Sequence, residues 1–191
     1  MVDKYLFLFG VEYCSVILPN DQGKLNEKEA IELLREATGI FIGGGDTEKY
    51  HAYYATEPIK SILKDRYSDG IPIAGSSAGA LILPEICLIS PNDSNNGEML
   101  SKDGVGLLTD ILIGVHFTEW SDECNLLAGM KKHKIRFGIG IDEEACVVFK
   151  NGKFESEFGD SVHHIEIDDF YIGDIKLYPV YPANFSAYAC S

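Results

Sequence analysis

Ile71-Pro72-Ile73-Ala74-Gly75-Ser76-Ser77-Ala78-Gly79-Ala80 runs from a short apolar segment into a turn made of small residues. Ile71–Ala74 reads as a buried strand, and Gly75-Ser76-Ser77-Ala78-Gly79 fits the G-x-S-x-G pattern of a nucleophile elbow between strand and helix. Glycine on either side of the serine lets the chain turn sharply without Cβ clashes, so the Ser77 hydroxyl projects outward. The next amide, that of Ala78, falls at a helix start and is a candidate oxyanion donor. The same residues also suit a plain small-residue turn; the setting between strand and helix favours chemistry.

Working outward, three more strand-like runs end in residues able to do chemistry. Ile40–Ile42 leads into Gly43-Gly44-Gly45-Asp46, Ile111–Val115 into His116-Phe117, and Gly138–Ile141 into Asp142-Glu143-Glu144. Helical patterns separate them. One is capped by Asn26 and carries Ile31, Leu33 and Leu34; another spans Thr47–Tyr67 and breaks at Pro58; a third covers Asp122–Lys134. Short apolar strands alternating with helices predict an α/β fold, a three-layer sandwich with a mainly parallel sheet. In such sheets the working residues gather beyond the carboxyl ends of the strands. Val11–Leu18, rich in β-branched and aromatic residues, is expected to add a strand, and Cys14 there, like Cys146 in a later apolar run, is expected to be a buried small hydrophobe. After Ala145 the pattern turns antiparallel. Cys146–Lys150 and Lys153–Glu157 flank Asn151-Gly152, a two-residue hairpin turn, and Val162–Ile167 and Ile175–Val180 read as further strands.

The bulk properties bound the partners. The chain has 191 residues, which fits one domain, with 46% hydrophobic and 24% charged residues. Sixteen basic against 30 acidic side chains give a net charge of −14, a field that repels nucleic acid and anionic membranes. The five scattered cysteines form no C-x-x-C pair and suit a reducing compartment. Tyr5–Phe9 is too short for a signal-peptide core or a membrane span, so the cytoplasm is the expected location.

Ser77, His116 and one acid are then the candidates for catalysis. A serine hydroxyl is inert at neutral pH unless a base takes its proton, and His116 is the only histidine at a predicted strand end. His51, His133, His163 and His164 fall elsewhere, and none shares a metal-ligand spacing with a second ligand, so no metal is expected. Asp93, in the loop after Ser90, and the Asp142-Glu143-Glu144 cluster are both candidates for the acid that orients His116. The glycine turn lacks dinucleotide or phosphate-loop spacing, and no cofactor is called for. Its amides, at Gly44 or Gly45, are candidates for the second oxyanion donor, with Asp46 or Thr47 capping the following helix.

Taken together, Ile42-Gly43-Gly44-Gly45-Asp46, Gly75–Ala80, His116-Phe117 and Gly138-Ile139-Gly140-Ile141-Asp142-Glu143 resemble the dipeptidase E (α-aspartyl dipeptidase) and cyanophycinase group of serine peptidases. The resemblance implies a class I glutamine amidotransferase-like (flavodoxin-like) fold with serine in place of cysteine. It implies Ser77 as nucleophile, His116 as base, and Gly44, Gly45 and Ala78 as oxyanion donors, acting on a short peptide or isopeptide. For the third member, dipeptidase E-like sequences point to Asp93 and cyanophycinase-like ones to Glu143. Asp46 and Trp120 are the candidate substrate contacts. Family members commonly carry an arginine on the helix after the histidine; Ser121–Leu126 has none, which points away from aspartyl specificity. They also begin with a further strand–helix–strand segment, of whose helix Tyr5–Phe9 resembles the end. A sheet without those strands exposes surface, and a homodimer is one way to cover it. The competing readings are an inactive member serving as a binding scaffold and an amidotransferase-like activity, for which Cys87 is badly placed.

Overall fold

The computed structural model describes residues 10–170 and, beyond them, the strand at 174–179. The Tyr5–Phe9 helix end and Val180 lie outside the described residues.

Helix α1, Glu27–Glu36, starts where Asn26 accepts from the Glu29 amide and donates to the Glu29 carboxylate, a reciprocal cap. It buries Ala30 and Leu34. Strand β1, Ile40–Ile42, leads into α2, Thr47–Tyr54. Helix α3, Ile59–Ser68, follows the break at Pro58, whose missing N–H is harmless at a helix start. Strand β2, Ile73–Gly75, pairs parallel with β1 in the register Ile40↔Ile73 and Ile42↔Gly75. Directly after it, Ala78–Leu81 forms α4, a single turn.

Ile86–Ile89 (β3) and Leu100–Asp103 (β4) form an antiparallel hairpin that the residue pattern does not announce. Ile111–Val115 (β5), Glu123–His133 (α5) and Phe137–Ile141 (β6) are a β–α–β unit with its strands parallel, Ile111↔Phe137 through Val115↔Ile141. Cys146–Lys150 (β7) and Lys153–Phe158 (β8) make the expected hairpin. Asn151 and Gly152 both have positive φ, 51° and 73°, which suits a primed turn. Val162–Asp169 (β9) lies antiparallel on β6, and Asp174–Pro179 (β10) on β9.

The class is therefore α/β, as the pattern predicts, but among the described residues the strands form small mixed sheets. The four-stranded one has the order β10-β9-β6-β5, and β1–β2, β3–β4 and β7–β8 are separate pairs. One expectation fails outright. Val11–Leu18 is not a strand: Tyr13 is 80% and Leu18 66% exposed, and the backbone has no ladder partner among the described residues. Composition suits a pleated surface, but only a neighbouring strand makes one. Cys14 is consequently exposed, and so is Cys146 on β7, contrary to their expected burial; Cys87 on β3 is a buried free thiol.

Strand β5 is buried on both faces. Ile113 and Val115 join a core with Ile42, Ile82, Ile89 and Ile139, whereas Leu112 faces Leu88, Phe117, Leu126 and Met130. Beside it, β6 presents glycine to the second cluster. A Cβ at Gly138 would lie 2.6 Å from the Met130 sulfur, and one at Gly140 2.3 Å from the Phe117 ring. Bare backbone there lets α5 and Phe117 seat against the sheet. Burial of Phe117, 2% exposed, contributes on the order of 2–3 kcal/mol and anchors the residue next to His116. No helix among the described residues is long and apolar enough to cross a membrane.

Candidate active site

Beyond β2 the chain turns with Ser77 at φ 51° and ψ −119°, a region a non-glycine residue occupies only at a cost. Bonds from both sides hold this turn. Ser76 N–H donates to Ile42 O and Gly79 N–H to Gly43 O, tying the elbow to the end of β1. Gly79 packs so closely that a Cβ there would lie 2.1 Å from Ile42 O. The contact explains why the motif needs glycine two residues after the serine.

His116 follows the last residue of β5, also at positive φ (49°). Its Nε2 lies 2.9 Å from Ser77 Oγ. Thus the two side chains expected to work together meet, across two different parallel pairs of strands. The Trp120 ring stacks on the imidazole, with centroids 4.5 Å apart and planes tilted by 32°, and Trp120 N–H donates to His116 O.

The acids separate. Glu143 Oε1 is 3.5 Å from His116 Nδ1, and the Glu143 amide donates to Glu119 Oε1. Asp93 accepts a hydrogen bond from the Thr47 hydroxyl and makes none to His116. Burial pushes the Asp93 carboxyl above the ordinary range, against the pull of the Thr47 bond. Asp142 turns to the other side of the strand end. It accepts from Thr118 N–H (2.8 Å), from the Thr118 hydroxyl (2.7 Å) and pairs with His163 Nε2 (3.1 Å). Burial raises its carboxyl, but these bonds outweigh it and hold the group below the usual value. The turn carrying His116 is therefore pinned to the end of β6.

The glycine turn lies alongside. A Cβ on Gly44 would come 3.1 Å from Ser77 Cβ and 3.6 Å from its hydroxyl. Neither the Gly44 nor the Ala78 amide donates to another group among the described residues. The Asp46 carboxylate caps α2 through Lys49 N–H and forms an ion pair with Lys49 at 3.0 Å. Any substrate contact there competes with both. Cys87, the alternative nucleophile, is fully buried with its thiol pushed up to about 12 by burial, which leaves it unreactive.

Three neighbours of the site escape the motif reading. Thr118 and Glu119 follow the histidine within the same turn, a proximity that could have flagged them. Tyr50 touches the glycine turn from one helical turn into α2.

An α/β chain with a serine–histidine pair beyond its strand ends has the layout of a hydrolase. The sequence pattern of Peptidase family S51 matches residues 15–156. The chain belongs to that family. Among its relatives, the cyanophycinase of Synechococcus elongatus is 32% identical over 146 residues, covering 74% of this chain and 45% of the relative. The cyanophycinase of Geminocystis herdmanii is 27% identical over 164 residues, covering 82% and 60%. The chain thus spans about half the length of these curated relatives. The crystal structure of a peptidase from an acI-B1 Actinobacterium superposes with a TM-score of 0.53, covering 87% of this chain and 62% of that one; at 20% identity it speaks for the fold alone.

Proposed function

We propose that this chain is a serine-type peptidase that cleaves a short peptide or isopeptide through an acyl-serine intermediate. The observation that carries the reading is the 2.9 Å approach of Ser77 Oγ to His116 Nε2 at a strained elbow. For Nε2 to accept the serine proton, Nδ1 must carry the other, and Glu143 is the acceptor facing it. Ser77 Oγ attacks the scissile carbonyl as its proton passes to His116. The amides of Ala78 and of the Gly44–Gly45 turn receive the oxyanion, and His116 returns the proton to the leaving amine. Water then repeats the sequence and releases the acid, with His116 again as base.

Trp120, lying on the imidazole, walls the pocket where the substrate's flanking group would sit. The name shared by the relatives makes cyanophycin the first polymer to try, beside aspartyl dipeptides. The finer expectation of a three-layer, glutamine amidotransferase-like sandwich belongs to this reading, because that frame sets strand ends side by side. The scaffold alternative is disfavoured, since hydroxyl, base and glycine turns are all present. A screen of a peptide library together with cyanophycin tests the proposal. Turnover by the wild type that disappears in Ser77→Ala is expected; turnover that survives in Ser77→Ala would remove Ser77 from the mechanism.

A further inference from the structure

The carbonyls of Ile42, Gly43 and Gly44 each accept one hydrogen bond, and the donors differ in kind. Ile42 O accepts from Ser76 N–H and Gly43 O from Gly79 N–H, both of them backbone groups of the elbow. Gly44 O accepts from the hydroxyl of Tyr50, at 2.8 Å. The orientation of the Gly44–Gly45 peptide thus rests on a side chain, where the two before it rest on the main chain.

That peptide needs a restraint. Like the Gly43–Gly44 peptide before it, it is flanked by glycine on both sides, and glycine populates both signs of φ with little preference, so the plane can rotate at low cost. It is trans and planar, so its C=O and N–H point in opposite directions. With Gly44 O held toward Tyr50, Gly45 N–H is directed to the other side of the turn. On the Ser77 side, Gly44 lies within 3.6 Å of the hydroxyl as measured from a built Cβ. The Tyr50 ring also fills the space beside Gly45, where a Cβ would meet ring carbon Cε2 at 2.6 Å.

From this geometry we infer that Tyr50 is a positioning residue for the oxyanion site, fixing the Gly44–Gly45 peptide so that Gly45 N–H serves as the second donor beside Ala78 N–H. The inference rests on the serine-peptidase reading and adds to it the residue that sets the donor. Tyr50 touches no reacting atom. Its hydroxyl acts on the carbonyl, and the carbonyl's partner amide acts on the oxyanion.

Tyr50→Phe keeps the ring against Gly45 and removes only the hydroxyl. The measurement is the second-order rate of labelling of Ser77 by a fluorophosphonate, a tetrahedral anionic probe, in wild type and variant. Thermal unfolding and the pH profile of labelling are recorded on both. Loss of one oxyanion donor costs roughly 10²- to 10³-fold, and partial misorientation less, so a fall of about 10- to 100-fold is expected. The profile should keep its shape, because the serine–histidine pair is untouched, and the unfolding midpoint should stay close to that of the wild type. A variant that labels within about twofold of wild type overturns the role of Tyr50 and leaves the peptidase reading standing. So does a variant whose loss of rate is matched by loss of folded protein. Wild-type protein that is folded yet never labelled overturns both readings.

Discussion

His116 Nδ1 stands 3.5 Å from Glu143 Oε1, and the Glu143 side chain is 67% exposed. The imidazole thus has Ser77 on one ring nitrogen and a solvent-facing carboxylate on the other, while Asp93 is engaged with Thr47. An exposed acid is screened by water, so it orients the ring with less energy than a buried one.

Glu143→Gln is therefore expected to lower kcat by about 10- to 100-fold, short of the roughly 10⁴-fold seen where the orienting acid is buried. Asp93→Asn should cost less than Glu143→Gln. Burial raises the Asp93 carboxyl, so its charge opposes folding at neutral pH, and the asparagine should match or exceed wild-type stability. Steady-state kinetics and urea melts on the two variants check the pair; a larger kinetic loss in Asp93→Asn would reverse the assignment.

Ser77 sits at φ 51°, where a Cβ costs on the order of 1–3 kcal/mol. Ser77→Gly and Ser77→Ala both delete the hydroxyl, but only glycine also removes the strain. Part of that relief is offset by the greater backbone entropy of glycine. In urea, Ser77→Gly should exceed Ser77→Ala in stability by about 1 kcal/mol. Equal midpoints would deny that the elbow stores strain.

Gly79→Ala places a methyl 2.1 Å from Ile42 O and 2.7 Å from Gly43 O, both backbone atoms that cannot rotate away. The elbow would be pushed off β1, at a cost of about 3 kcal/mol. Chemical unfolding checks the stability, and labelling of Ser77 should slow with it. A variant as stable as wild type would contradict the close docking of elbow and strand.

Asp142 has a carboxyl held below its ordinary value, and its side chain is only 8% exposed. The sign follows from linkage. The stabilisation is fully present above the unfolded-state value near 3.8 and is lost as pH falls through the lower folded-state value. Asp142→Asn should destabilise the protein by about 1–2 kcal/mol at pH 7, through loss of charge-assisted bonds to Thr118 and His163. The gap to wild type should close below about pH 4. A gap that widens in acid would be the wrong sign for this account.

Much of this was legible in residues whose signals are local. The break at Pro58, the Asn26 cap, the Asn151-Gly152 turn and the runs at Ile111 and Gly138 all carry their cause within a few positions, and the structure follows them closely. Ser77 and His116 were legible for the same reason, as polar residues at the ends of apolar runs. What failed depends on partners. Val11–Leu18 has the composition of a strand but, among the described residues, no neighbour to complete a ladder. The β3–β4 hairpin has strands separated by ten residues, 90–99, with no short-turn signature, and its second strand, Leu-Ser-Lys-Asp, is mostly polar. Tyr50 reads as one aromatic among several on a helix, because its role lies in a carbonyl six positions back that only folding brings to it. Which carboxylate faces the imidazole is likewise a matter of tertiary placement: Glu143 Oε1 lies 3.5 Å from Nδ1, and Asp93 accepts from the Thr47 hydroxyl.

The central claim is that the Ser77 hydroxyl is made nucleophilic by the His116 ring. It is tested most directly by incubating folded protein with a fluorophosphonate and locating the adduct by peptide mass spectrometry, in wild type, Ser77→Ala and His116→Gln. The account predicts a single adduct on Ser77, absent in Ser77→Ala and formed about a thousandfold or more slowly in His116→Gln. An adduct that forms on Ser77 just as fast without the imidazole, or no adduct on well-folded wild type, would contradict it.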